Sequence, residues 1–112
     1  MDGTITNSDP NIYSADNLNI SASDNPKIAI CLQNNSSGVW GAIYFTTTTD
    51  NTWTESKGHW FTISSNDSTS HVYTIDLSAI GTWTGTIKQF RFDPSEASSG
   101  SFNIDYIRLE KN

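Results

Sequence analysis

With 112 residues, a net charge of −6 and only six Lys and Arg, the chain has room for one core, so residues 1–112 read as one domain. It is also too poor in cations to track a polyanion along a basic stripe, which excludes broad nucleic-acid binding. Thirteen aromatics, abundant Thr and a single Met make a β composition, and no apolar run approaches the length of a membrane span.

Taken in chain order, the pattern is one of short strands with period-two alternation and no helical period. A short strand is expected near residues 3–6. Leu18, Ile20 and Ala22 then alternate with Asn17, Asn19 and Ser21, and Ile28, Ile30 and Leu32 alternate with Ala29, Cys31 and Gln33. Ile43 and Phe45 point one way while Trp40, Ala42 and Tyr44 point the other, and Phe61 and Ile63 oppose Trp60 and Thr62. Tyr73, Ile75 and Leu77 oppose Val72, Thr74 and Asp76, and Phe90 and Phe92 oppose Gln89, Arg91 and Asp93. The last strand, 102–112, carries one acid, Asp105, inside an aliphatic and aromatic run, which needs explaining because a buried carboxylate is costly unless paired or bound to a metal. Clusters of Ser, Asn, Asp and Gly separate these segments. About eight short strands predict an all-β, two-sheet antiparallel β-sandwich of the jelly-roll type. Cys31 has no intradomain partner and reads as a small packing residue, and Trp83, in a turn before Gly85, reads as a plug at one end of the sandwich.

Strand parity gives the main candidate site. If the aliphatic set faces the core, then Gln33, Trp40, Tyr44, Gln89 and Arg91 face outward. Aromatic faces stack on the C–H face of a pyranose, and planar amide and guanidinium groups pair with vicinal hydroxyls, so this set suits a sugar. The structural alternative is that Trp40 and Tyr44 lie beneath a loop and Arg91 pairs with Asp93 or Asp76. A second candidate lies at loop tips, from Tyr13, Trp53, His59, Trp60 and His71, with Trp53 expected to be the most solvent-facing aromatic. Catalysis is not expected. The acids sit in turns or strand ends without the opposed pair that glycoside hydrolysis needs, no nucleophile elbow is present, and the two His and one Cys lack zinc spacing.

The runs Asp9-Pro-Asn-Ile, Ile43-Tyr-Phe-Thr-Thr, Tyr73-Thr-Ile-Asp-Leu, Trp83-Thr-Gly-Thr-Ile, Phe90-Arg-Phe-Asp-Pro and Ile104-Asp-Tyr-Ile-Arg resemble the framework of galactose-binding-like jelly rolls. Such domains serve as non-catalytic carbohydrate-binding modules in secreted bacterial enzymes acting on polysaccharides. The resemblance implies an extracellular module of a larger protein that binds a polysaccharide, a neutral glycan such as a β-glucan being favoured by the acidic surface, and that holds a linked catalytic domain near its substrate. It also implies a structural calcium where the N-terminal segment crosses the last strand, with Asp105 as one ligand and Asp2 or Asp9 as another. The competing class is a structural spacer or protein-interaction module of a multidomain secreted or cell-surface protein.

Overall fold

The computed structural model describes residues 2–5 as backbone, and residues 12–14, 16–94 and 100–111 in full. Among the described residues nine strands follow one another: β1 (Asp2–Ile5), β2 (Ile12–Tyr13), β3 (Ile20–Ser21), β4 (Lys27–Asn35), β5 (Trp40–Thr47), β6 (Gly58–Thr62), β7 (His71–Asp76), β8 (Thr86–Asp93) and β9 (Gly100–Glu110). Short 3-10 turns at Glu55–Lys57 and Leu77–Ala79 are the helical pieces among the described residues. None of these is long and apolar enough to cross a membrane.

All strand pairs are antiparallel and form two sheets, a four-stranded one in the order β1-β9-β4-β7 and a five-stranded one in the order β2-β8-β5-β6 with β3 also on β8. Their inner faces bury Ile28, Ile30 and Leu32 against Ile43, Phe45 and Phe92, each at most 2% exposed. The sandwich expected from the alternation is therefore the observed architecture. Two elements differ from that expectation. The 18–22 segment contributes only Ile20–Ser21, because Asn17 and Asn19 adopt left-handed backbone (φ 61° and 57°) and break the extended run. Ile12–Tyr13 forms an additional two-residue strand on β8.

The last strand explains its own acid. Leu32 pairs with Ile104 and Cys31 with Tyr106, so Asp105 is the extra residue of a β-bulge. The bulge resets the parity: Ile104 lies on the inner face before it, Ile107 opposite Ile30 after it, and Asp105 is exposed. Solvation of this carboxylate removes the burial cost that its apolar neighbours in sequence suggest.

Each end of the sandwich is closed by a polar side chain with its hydrogen bonds made. Trp83 is 6% exposed, stands edge-on to Phe45 at 4.9 Å, and donates its indole N–H to the carbonyls of Ala22 (3.0 Å) and Asn25 (3.2 Å). At the other end, buried Asn34 donates to the carbonyls of Gly38 (2.9 Å) and Ser64 (3.0 Å), and its backbone N–H donates to Asp67 (3.1 Å). Cys31 is buried at 7% exposure and is a free thiol.

Candidate functional site

The outer face of the five-stranded sheet is built row by row from the strand register. One row runs Tyr13 on β2, Arg91 on β8, Tyr44 on β5 and Gly58 on β6. The next holds Asp93, Ala42 and Trp60, and the one beyond it Trp40 and Thr62. Toward the other end of the face, Gln89 lies opposite Thr46. Neighbouring strands are about 4.8 Å apart, so Tyr13 and Gly58 stand roughly 14 Å apart across the sheet.

Three aromatics of this face are open to solvent: Tyr13 is 50% exposed, Trp60 45% and Trp40 44%. Tyr44 was expected beside them and instead is only 4% exposed. It does lie on the outer face, but the 48–57 loop and its neighbours cover it. Gly58 makes this possible, since a Cβ there would come within 2.5 Å of Tyr44 Cε1, so the ring occupies the space a side chain would fill. Tyr44 is enclosed by Trp60 edge-on at 6.4 Å, by the Arg91 guanidinium 4.9 Å from its ring centroid, and by Glu55, which accepts its hydroxyl proton at 3.1 and 3.2 Å. Burial, then the Glu55 hydrogen bond and charge, push the Tyr44 pKa from 10.0 up to about 12. The same carboxylate accepts from the Trp60 indole N–H at 3.4 Å, so Glu55 orients both rings.

The covering loop is pinned from beneath. Lys57 is 2% exposed, and its ammonium meets the Asp50 carboxylate at 2.9 Å, the Thr52 hydroxyl at 3.0 Å and the Asp50 carbonyl at 3.3 Å. The Thr52 hydrogen bond, followed by Lys57, holds the Asp50 carboxyl below its usual range. Sequence reasoning missed this lysine, because its stretch is polar throughout and nothing in it marks one cation as turned inward.

Other expected site residues fall into three groups. Arg91 makes a two-pronged pair with Asp93, both bonds at 2.8 Å, and Gln89 donates its amide to the Ser14 carbonyl at 3.0 Å, so both brace the face. Gln33 is on the other sheet. Parity placed it outward correctly, but β4 belongs to the four-stranded sheet, so the core separates it from Trp40, and it donates to the Asp67 carbonyl at 3.2 Å. Among the loop-tip candidates, Tyr13 and Trp60 lie on strands. Trp53 is half-buried and packs edge-on against Tyr13 at 5.4 Å, which corrects the expectation that it would be the most exposed aromatic. His59 is exposed on β6, and His71 heads β7 with Nε2 3.2 Å from Asp67 Oδ1.

For a cation, the described residues supply one carboxylate at the expected place, Asp105, and no three His, Cys, Asp or Glu side chains among them converge. β1 does run along β9, with Asp2 opposite Asn103. The Asp2 side chain and the whole of Asp9 lie outside the described residues.

No family model matches the sequence, and no curated protein matches it at significance. Solved structures do match. The family 11 carbohydrate-binding module of a cellulosomal cellulase from Clostridium thermocellum superimposes with a TM-score of 0.65 at 16% identity, over 99% of this chain and 74% of that one. The same family's module in complex with a β-1,3-1,4-mixed-linked tetrasaccharide gives a TM-score of 0.58 at 15% identity, over 99% and 83% of the two chains. The Endo-D glycoside hydrolase domain from Streptococcus pneumoniae R6 gives 0.64 at 16% identity, and there the chain spans 99% of itself but only 17% of that much longer protein. At such identities the likeness speaks to architecture: this chain has the jelly-roll fold of carbohydrate-binding modules.

Proposed function

We propose that the chain is a non-catalytic module that binds an oligo- or polysaccharide on the outer face of its five-stranded sheet. The observation that carries this reading is the grouping of Tyr13, Trp40 and Trp60, all 44–50% exposed, on one sheet face around a hydrogen-bonded floor of Tyr44, Glu55, Arg91 and Asp93. An exposed aromatic group of this size calls for a partner. Rings held in fixed orientation lose little entropy on stacking against a sugar, which favours stacking over a collapsed apolar contact. The mixed-linkage tetrasaccharide held by a module of the same fold supports a glycan as the partner.

Neutral glycans, such as a β-glucan, fit better than uronic or sulfated ones. Arg91, the guanidinium of this face, is engaged by Asp93 and stacked on Tyr44, while Glu55 adds a negative charge. The biological role proposed is delivery: an extracellular module raises the local concentration of a linked catalytic domain at its substrate. A structural Ca²⁺ at the crossing of β1 and β9, held by Asp105 with Asp2 or Asp9, is the accompanying proposal. Unchanged melting on adding a chelator would remove it.

Depletion from solution by a panel of insoluble glycans tests the main reading. Retention is expected on neutral polysaccharides, weakened by Trp60→Ala, Tyr13→Ala and Trp40→Ala. No retention on any glycan would favour a spacer or protein-interaction module instead. Loss on Trp53→Ala alone would move the site to the 48–57 loop.

A further inference from the structure

Charge on the same face carries a narrower conclusion, which rests on the glycan-binding reading. The cations of the loop and of β8 are engaged internally: Lys57 is buried on Asp50, Lys88 pairs with Asp16 at 3.2 Å, and Arg91 makes two bonds to Asp93. Glu55 differs. It is exposed, its hydrogen bonds come from the neutral groups Tyr44 O–H and Trp60 N–H, and no cationic side chain among the described residues forms an ion pair with it. Lys57, two residues along, points the opposite way into the fold.

Glu55 is an exposed carboxylate whose oxygen sits 3.4 Å from the indole nitrogen of half-exposed Trp60, which sets an anionic acceptor beside an aromatic face, the two features that suit an ammonium group. The carboxylate supplies charge and an acceptor, and the ring face supplies a cation–π contact within roughly 6 Å. We infer that this face takes glycans bearing free amino groups, such as a deacetylated amino-sugar polymer, in preference to their uncharged counterparts, with Glu55 as the specificity-determining residue. The net charge of −6 adds long-range attraction for a polycation. Geometry assigns the roles: Trp60 stacks on a sugar ring, and Glu55 accepts from the amino group carried by that ring or the next.

Calorimetric titration of the intact chain with three hexamers of equal length tests this. They are the glucosamine hexamer at mildly acidic pH with its amines protonated, the N-acetylglucosamine hexamer, and cellohexaose. The glucosamine hexamer is expected to bind about fivefold more tightly than cellohexaose at low salt, with the N-acetyl form on the neutral side. That ratio should fall toward one in ~1 M salt, where the Debye length is about 3 Å, and in Glu55→Gln, which keeps an acceptor for Tyr44 and Trp60. A ratio that falls with salt but persists in Glu55→Gln assigns the preference to net charge and overturns the role of Glu55, while the salt series, which needs no variant, overturns the inference by itself if the ratio does not fall. A ratio near one at low salt, or one that ignores both salt and Glu55, overturns this inference while cellohexaose binding preserves the glycan face. Absence of binding by all three hexamers overturns both.

Discussion

The two outer faces of the sandwich obey the same alternation and end in different chemistry. On the four-stranded sheet, Ala29 and Cys31 occupy the centre, flanked in register by Thr74 and Val72 on β7 and by Arg108 and Tyr106 on β9. Arg108 lies over the Tyr106 ring at 4.7 Å, and the row beyond runs Asp76, Lys27, Glu110, with alternating charge. Small side chains there are covered by their neighbours within the sheet. On the five-stranded sheet the central Tyr44 is large, Gly58 beside it is vacant, and a loop folds over to complete the floor. Bulk on an outer face is therefore buried where the neighbouring strand leaves a gap for it and a loop closes over it. Parity alone yields only an outside.

The sharpest way to erase the contrast is Gly58→Ala. The new methyl would meet the Tyr44 ring, which Glu55, Trp60 and Arg91 hold in place, so either the ring or β6 must shift. Overpacking of this kind costs about 3 kcal/mol, read in denaturant melts, and glycan retention should fall with it. A stable variant with Tyr44 unmoved would show that the gap is not needed.

Trp60→Ala comes next. As the exposed ring on the Glu55 network it should act as the hot spot, costing about 2 kcal/mol of binding with little loss of stability. The matching change on the other face, Tyr106→Ala, should leave glycan binding untouched. Equal losses from both would mean that the two faces are not functionally distinct.

These contrasts also show what the sequence carried. The sandwich and the outward set on β5 and β8 were legible because period-two alternation assigns each residue to a face of its own strand, and the plug at Trp83 because a large aromatic stands in a turn before Gly85. Which sheet a strand joins was not, and Gln33 is the clearest case: its side follows from Ile28, Ile30 and Leu32, but its sheet follows from the pairing of β4 with β7 and β9. Burial of Tyr44 beneath a loop, with Arg91 on Asp93, was the alternative reading and is the observed one for these two residues; the choice between the readings depends on Gly58 across the ladder and on Glu55 eleven residues away, which strand parity does not reach. The β9 bulge could have been suspected from the misfit of Ile104 with Ile107 and Leu109, whose spacing no single parity satisfies.

A pH experiment separates the floor from the platform above it. The folded Tyr44 pKa of about 12 lies above the unfolded value of 10.0, so the unfolded chain sheds this proton first. Stability from this group is therefore full below pH 10 and declines as pH rises from 10 to about 12. Glu55→Gln removes the charge of Glu55 while keeping a neutral acceptor for the hydroxyl, and burial, the largest cause, remains, so the folded pKa should drop part of the way and the decline should flatten in proportion. Tyrosinate absorbance gives the titration and alkaline melts give the slope. An unchanged slope would place Glu55 outside the Tyr44 environment.

The smallest expected effect concerns the residue that the strand order reassigned. Gln33 bridges β4 to the Asp67 carbonyl through one part-buried hydrogen bond, at the end where Asn34 already holds the 64–70 loop through a buried bond to Asp67 and a part-buried one to Ser64. Removing it by Gln33→Ala should cost about 0.5 kcal/mol, because water replaces the amide at a half-exposed position. Glycan affinity should stay at the parent value, since the core stands between Gln33 and the Trp40–Trp60 face. A clear loss of affinity without loss of stability would instead put sugar on the four-stranded sheet, and the face with the covered Ala29 and Cys31 would become the one to explain.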